Sequence, residues 1–269
     1  MQVSAAIANT SSRLDRQINL SPQVQTQIET VSTAAIVYCH KSLDRSRFFS
    51  LLKNGTISPA AVQYAFIQYH SWRDRLHQWF GLCIVKAGSC TDPDQKLAIM
   101  SLADHTFTDL RDGHSEMYLE FLADLGLSPV EIEASQPSAA TIAYARSFFD
   151  RFGYGTENFY EALAALSGRE LCVSVRNQLI LRCYFDLYQL KYSTWLALHA
   201  ELEVDHFHDA IRPVLIRYAG DALKIAELMI VIEQSIDRHV QYFDQLLDEY
   251  ESCCQINFNE VANNESSRI

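Results

Sequence analysis

The chain has 269 residues, a formal net charge of −11 and a pI of about 5.2. No Lys/Arg cluster interrupts that acidity, which argues against a nucleic-acid surface. The longest apolar runs, such as "ELMIVIEQS", are too short to span a bilayer.

Only 9 Gly and 6 Pro punctuate the sequence, so long helices are favoured over many-turned β structure. Residues 1–20 are polar without an apolar period and read as a flexible arm. From Ser21 the pattern turns helical. "SPQVQTQIETVSTAAIVYCHK" opens with Ser then Pro, an N-cap and first-position pair. A short helix, "DRSRFFSLLKNG", ends at Gly55. "SPAAVQYAFIQYHSWRDRLHQWFGLCIVKAG" repeats the Ser-Pro start and reads as one long helix to Gly88. "DPDQKLAIMSLADHTFTDLRDGHSEMYLEFLADLG" reads as two helices broken near Gly113, and "SPVEIEA" is a third Ser-Pro start. "SAATIAYARSFFDRFG" and the strongly apolar "TENFYEALAALSGRELCVSVRNQLILRCYFDLYQL" follow. The next helix is expected to close at Pro213, and the last runs through "GDALKIAELMIVIEQSIDRHVQYFDQLLDEYESC". Residues 255–269 have the composition of a disordered tail. No strand alternation and no fixed repeat are visible, so residues 21–254 are expected to form one all-α domain of eight or more helices. The seven cysteines are odd in number and form no CxxC pair, and no secretory leader precedes them. They point to a reducing, cytoplasmic setting.

The chemistry concentrates in "LHAELEVDHFHD", residues 198 to 209. On a helix His199, Glu203 and His206 fall within an arc of roughly 60°. Glu201, Asp205 and His208 have the same spacing on the opposite side. Trp195, Leu196, Leu202, Phe207, Ala210 and Val214 flank the first trio, so that trio faces the core. Two His and one Glu on a buried face are costly unless something compensates them. A metal ion does so, because it takes imidazole nitrogen and carboxylate oxygen together. The alternative is a hydrogen-bonded core cluster without metal.

One helix supplies half a site. Glu170, in the Ala/Leu-rich "EALAALSGRELCVSV", is a candidate further ligand, with an ion pair to Arg169 as its alternative role. Glu161, nearer that helix's start, suits a capping role instead. The segment "DHTFTDLRDGHSEMYLEFLADLGLS" offers His105, Asp109, Asp112, His114 and Glu116.

These segments together resemble the haem-oxygenase-like diiron oxidases, the relatives of the chlamydial death-domain-associated protein, which share a TenA/PqqC-like helical fold. "HSEMYLEFLADLGLS" matches the family's His-led helix, "LAALSGRE" its Glu in an Ala/Leu-rich helix, and His199-xxx-Glu203-xx-His206 its terminal motif. "SRFFSLLKNGTISPAAVQYAFIQYHSW" resembles its N-terminal segment, so the likeness covers about residues 45 to 215. It implies a single-domain haem-oxygenase-like multi-helix bundle. It also implies two Fe ions, with O2 as co-substrate. His114, Glu170 and His199 would hold one iron; Asp109, Glu203 and His206 would hold the other, with Glu170 bridging. The family's first ligand is usually Glu, whereas here it is Asp109, with Asp112 as the fallback.

The implied activity is oxidation of a small carboxylate- or amine-bearing metabolite or a fatty-acid-like substrate, by C–C cleavage, desaturation or N-oxygenation. One rival is a metal-free TenA-like hydrolase using Cys172. The other is a non-enzymatic helical binding protein that docks a partner through "FDQLLDEYES". Tyr69, His70 and His77 are further candidates to face a cavity. Oligomeric state stays open, with a homodimer as one expected assembly.

Overall fold

Six helices begin at a Ser or Asp whose side-chain oxygen accepts a backbone N–H of the first turn: Ser21, Ser46, Ser58, Asp92, Ser128 and Ser193. At four of these Pro follows the cap, as the sequence signals predict. Ser128 goes further and forms a capping box with Glu131. The structure, a computed structural model, describes residues 21–87, 91–148, 159–188 and 193–266. The arm expected at 1–20 lies outside the described residues.

The helices are α1 (Pro22–Arg45), α2 (Arg47–Lys53), α3 (Pro59–Arg73), α4 (Leu76–Lys86), α5 (Pro93–Arg111), α6 (His114–Asp124), α7 (Pro129–Ala134), α8 (Ala139–Phe148), α9 (Phe159–Tyr188), α10 (Thr194–Arg217) and α11 (Ala222–Ser266). Among the described residues there is no strand. No helix among them is long and apolar enough to cross a membrane.

Helix α9 is the axis of the molecule. From Phe159 to Ile180 every residue is buried except Glu161 and Gln178. A helix apolar on all sides belongs in the middle, and α9 lies against α10 along one side and α11 along another. Gly168 permits the second crossing. A Cβ there would stand 2.6 Å from the Ile232 carbonyl oxygen on α11. The other helices wrap this core, α5 and α6 against α10 and α3 against α11.

Three expectations are corrected. The long helix expected over 58–88 breaks at Asp74 and Arg75 into α3 and α4. No Gly or Pro marks the break, and Trp72 and Trp79 on either side of it are both buried. Helix α10 does not close at Pro213 but runs to Arg217. Pro213 is itself buried, and near the helix end its missing N–H removes one ladder bond only. Helix α11 continues to Ser266, so residues 255–266, read as a disordered tail, are helical. Extending a helix already nucleated upstream adds a hydrogen bond per residue without a new nucleus. Residues 267–269 lie outside the described residues. The stripe "FDQLLDEYES" is core rather than docking surface, with Phe243, Leu246 and Leu247 all buried.

Candidate metal centre

Helix α10 turns the His199/Glu203/His206 face inward, and all three side chains are buried. Glu201 and Asp205 are exposed. His208 is only half-buried, with its Nε2 3.2 Å from Ser32 Oγ on α1, so it docks on a neighbour rather than standing in solvent. Helix α9 brings Glu170 to the same interior, fully buried.

The third contribution comes from the joint between α5 and α6. Gly113 takes φ 70, a left-handed conformation that L side chains seldom adopt, and it folds the end of one helix onto the start of the next. Asp109 and His114 therefore meet. Asp109 Oδ1 lies 2.7 Å from His114 Nδ1, and Asp109 Oδ2 lies 3.7 Å from His105 Nε2. His105 stacks on His206, ring centroids 3.5 Å apart, and His114 meets His199 edge to face at 4.8 Å.

The structure thus brings all six sequence-selected residues into one interior. It also adds His105, whose ligand atom lies within 4.8 Å of those of Glu203 and His206. Reasoning from sequence named His105 within its segment but gave it no role. The available signal was its i, i+4 spacing to Asp109, which puts both on one face of α5. Asp112, the fallback ligand, is occupied elsewhere: Arg111 donates to it from Nε at 2.5 Å and Nη2 at 2.8 Å.

Hydrogen bonds orient several donors and leave others unused. His199 Nδ1 lies 2.8 Å from the Trp195 carbonyl. A carbonyl only accepts, so Nδ1 carries the proton and Nε2 keeps its lone pair. His206 Nδ1 lies 2.9 Å from Glu203 Oε2. Arg169 donates to Glu170 Oε2 at 2.6 Å and to Tyr69 Oη at 2.9 Å. Glu170 Oε1 has no partner, and His114 Nδ1, although 2.7 Å from Asp109, has no hydrogen bond of good angle. Two ligands of one ion stand in that relation, close together with their lone pairs aimed at a common point.

The electrostatics agree. Burial pushes the Glu170 carboxyl up to about 8 against the pull of Arg169, with Glu203 adding to the rise. Burial likewise raises Glu203 to about 7. Burial drives His105 and His199 well below the ordinary imidazole value, helped by His206 and His114 respectively. At Asp109 burial opposes ionisation, but His105 and His114 outweigh it and hold the carboxyl below its usual range. Neutral imidazoles beside crowded carboxyls are a donor set that a cation would satisfy.

A narrow cleft, partly open to solvent, reaches this cluster, and Asp109, His199 and Glu203 line it. Tyr69 and His77 also line it, whereas His70 does not and instead stacks on Tyr118. Cys172 is fully buried and does not line it; it touches Cys39, whose thiol that contact and burial push up.

The all-α bundle has the haem-oxygenase-like fold. The chain belongs to the Haem_oxygenas_2 family, iron-containing redox enzymes, whose model matches residues 63–250. Solved structures share the fold. A TenA homologue from Pseudomonas syringae pv. tomato superposes with TM-score 0.65 at 13% identity, covering 86% of this chain and 98% of that one. A domain of unknown function with a heme oxygenase-like fold, from Shewanella denitrificans, gives 0.65 at 15% identity, covering 87% and 94%. A CADD-like protein of unknown function from Nostoc punctiforme gives 0.64 at 16% identity, covering 83% and 98%. A search of curated proteins finds no match.

Proposed function

We propose that the chain is a nonhaem diiron oxidase or oxygenase that uses O2 to oxidise a small organic metabolite. The observation that carries this reading is the convergence of four helices on one buried set of imidazoles and carboxylates with unpartnered atoms at Glu170 Oε1 and His114 Nδ1. Membership of an iron-containing redox family supports it.

The residues fit two ions better with His105 included. His105, Glu203 and His206 would hold one. His114, His199 and Glu170 would hold the other. Asp109 faces both halves, one carboxylate oxygen toward each imidazole, which suits a bridge. Glu170, expected as the bridge, has one oxygen committed to Arg169 and the other free. Iron, when bound, would supply the redox chemistry that carries electrons from the substrate to O2. The chain's own residues position that chemistry. The Trp195 carbonyl fixes the tautomer of His199, and Arg169 holds Glu170 in place. Trp195, Phe80 and Val173 keep the cleft wall apolar, limiting water. The buried free thiols Cys39, Cys83 and Cys172 fit the reducing cytoplasm expected from sequence.

A hydrolase built on Cys172 has no support from the geometry, because that thiol is sealed from the cleft. The deciding experiment is anaerobic loading with Fe(II), quantification of bound iron, then exposure to O2. Near two irons per chain and a transient visible absorption are expected. Absence of iron uptake in excess metal would overturn the proposal.

A further inference from the structure

We propose that Arg73 anchors a carboxylate on the substrate, so that the cleft accepts an organic acid rather than an amine. This rests on the reading of the cleft as the mouth of a redox metal centre.

Arg73 closes the last turn of α3, half-buried, and lines the cleft beside His199 and Trp195. Its guanidinium lies 5.1 Å from the Tyr118 ring, which orients it. Its one hydrogen bond among the described residues is long, 3.5 Å from Nη1 to Ser115 Oγ. No carboxylate among the described residues pairs with it. A guanidinium has five N–H donors in a planar fork. Arg73 therefore holds most of its donor capacity unused at the wall of the site.

The other arginine of the lining shows the contrast. Arg169 is held by Glu170, the Tyr69 hydroxyl and the Trp72 ring, with only its Nε left without a partner. It serves the centre, whereas Arg73 has no carboxylate partner among the described residues. The cluster carboxylates that line the cleft, Asp109 and Glu203, do not reach it, and divalent ions bound there would neutralise them. Asp74, next in sequence, is exposed and also lines the cleft, but it forms no ion pair with Arg73. The cleft wall thus presents a guanidinium that no carboxylate among the described residues pairs with. Leu76, Phe80, Leu110, Val173 and Trp195 supply apolar wall around it. A guanidinium fork at the rim of an apolar cleft suits a carboxylate head carrying a hydrocarbon body. An amine at the same place would meet like charge.

The test titrates heptanoate, heptylamine and heptan-1-ol into the protein by calorimetry, with and without Fe(II), under anaerobic conditions. Heptanoate is expected to bind at least about tenfold tighter than the amine or the alcohol. Arg73→Gln is expected to remove that preference while leaving alcohol binding, bound iron and thermal unfolding unchanged. Arg73→Lys keeps the charge but loses the fork, and should retain part of the heptanoate affinity. It carries the test if Arg73→Gln does not fold. Heptylamine binding as tightly as heptanoate, no heptanoate binding at millimolar concentration, or unchanged heptanoate affinity in both variants would overturn the anchor. The two readings separate cleanly. Full iron loading without acid preference removes the anchor and leaves the metal centre. An Arg73-dependent acid preference in a chain that takes up no iron does the reverse.

Discussion

Glu170 and Arg176 both lie on α9, and both are fully buried. Their surroundings differ in one respect. Arg176 donates from Nη1 to His239 Nε2 at 2.9 Å, and from Nε and Nη2 to Asn177 Oδ1 at 3.1 and 2.9 Å. Since arginine only donates, His239 Nε2 must accept, and its Nδ1–H then donates to Tyr144 Oη at 2.6 Å. The guanidinium also rests over the Tyr69 ring at 4.7 Å. Only the Asn177 amide nitrogen is left over. At the metal-centre cluster, by contrast, Glu170 Oε1 has no hydrogen-bond partner, and His114 Nδ1, though 2.7 Å from Asp109, has none of good angle. Both clusters are polar and buried, so burial does not distinguish a structural network from a ligand site. Unused donor atoms do.

The sharpest way to break this comparison is to remove one residue from each cluster and count iron. Glu203→Ala and His199→Ala should each weaken iron binding by at least about 100-fold, leaving one iron or fewer per chain by elemental analysis. His239→Leu should leave iron uptake intact in the folded protein. Equal iron loss in all three would erase the distinction.

The second test reads stability. His239→Leu strips the Arg176 guanidinium of an acceptor in a dry interior, at a cost of about 3 kcal/mol in urea unfolding. A pH signature should accompany it. Burial, with Arg176 and Arg169 close by, holds His239 well below the ordinary imidazole value. The folded state therefore binds fewer protons than the unfolded chain below about pH 6.5, and stability falls as pH drops through that point. Between that point and the much lower folded value, the wild-type slope should come to exceed that of His239→Leu by about 1.4 kcal/mol per pH unit. Identical slopes would mean that His239 titrates normally in the fold.

Gly168→Ala tests the axis that carries both clusters. Its Cβ would meet the Ile232 carbonyl oxygen at 2.6 Å, backbone against backbone, with no flexible side chain to yield. A loss of about 2 kcal/mol is expected from overpacking. An unchanged urea midpoint would show that α9 and α11 can separate without cost.

Helix starts were legible in the sequence because capping is local: Ser-Pro and Asp-Pro pairs specify their own first turns. The inward face of α10 was legible because apolar neighbours flank His199, Glu203 and His206 at helical spacing. The break at Asp74 and Arg75 was not, since no Gly or Pro marks it. His105 was missed for a different reason. Its partner His206 lies on another helix, and no spacing along one chain segment records a contact across two. Arg73 and the complete Arg176 network are of the same kind, built from residues brought together only by tertiary folding.

The smallest expected effect falls on the other face of α10. His208 shares its spacing with the ligand trio, through Glu201 and Asp205, but its Nε2 lies 3.2 Å from Ser32 Oγ. Ser32 Oγ donates its proton to the Ile28 carbonyl at 2.7 Å, so it accepts from His208. After His208→Ala the Ser32 hydroxyl keeps its own acceptor, and the hydrogen bond lost lies at a half-buried site. A change of about 1 kcal/mol or less is expected in urea unfolding, with iron content unchanged. Iron loss matching that of His199→Ala would place the metal on the wrong side of the helix, and the inward trio would then be only a core network.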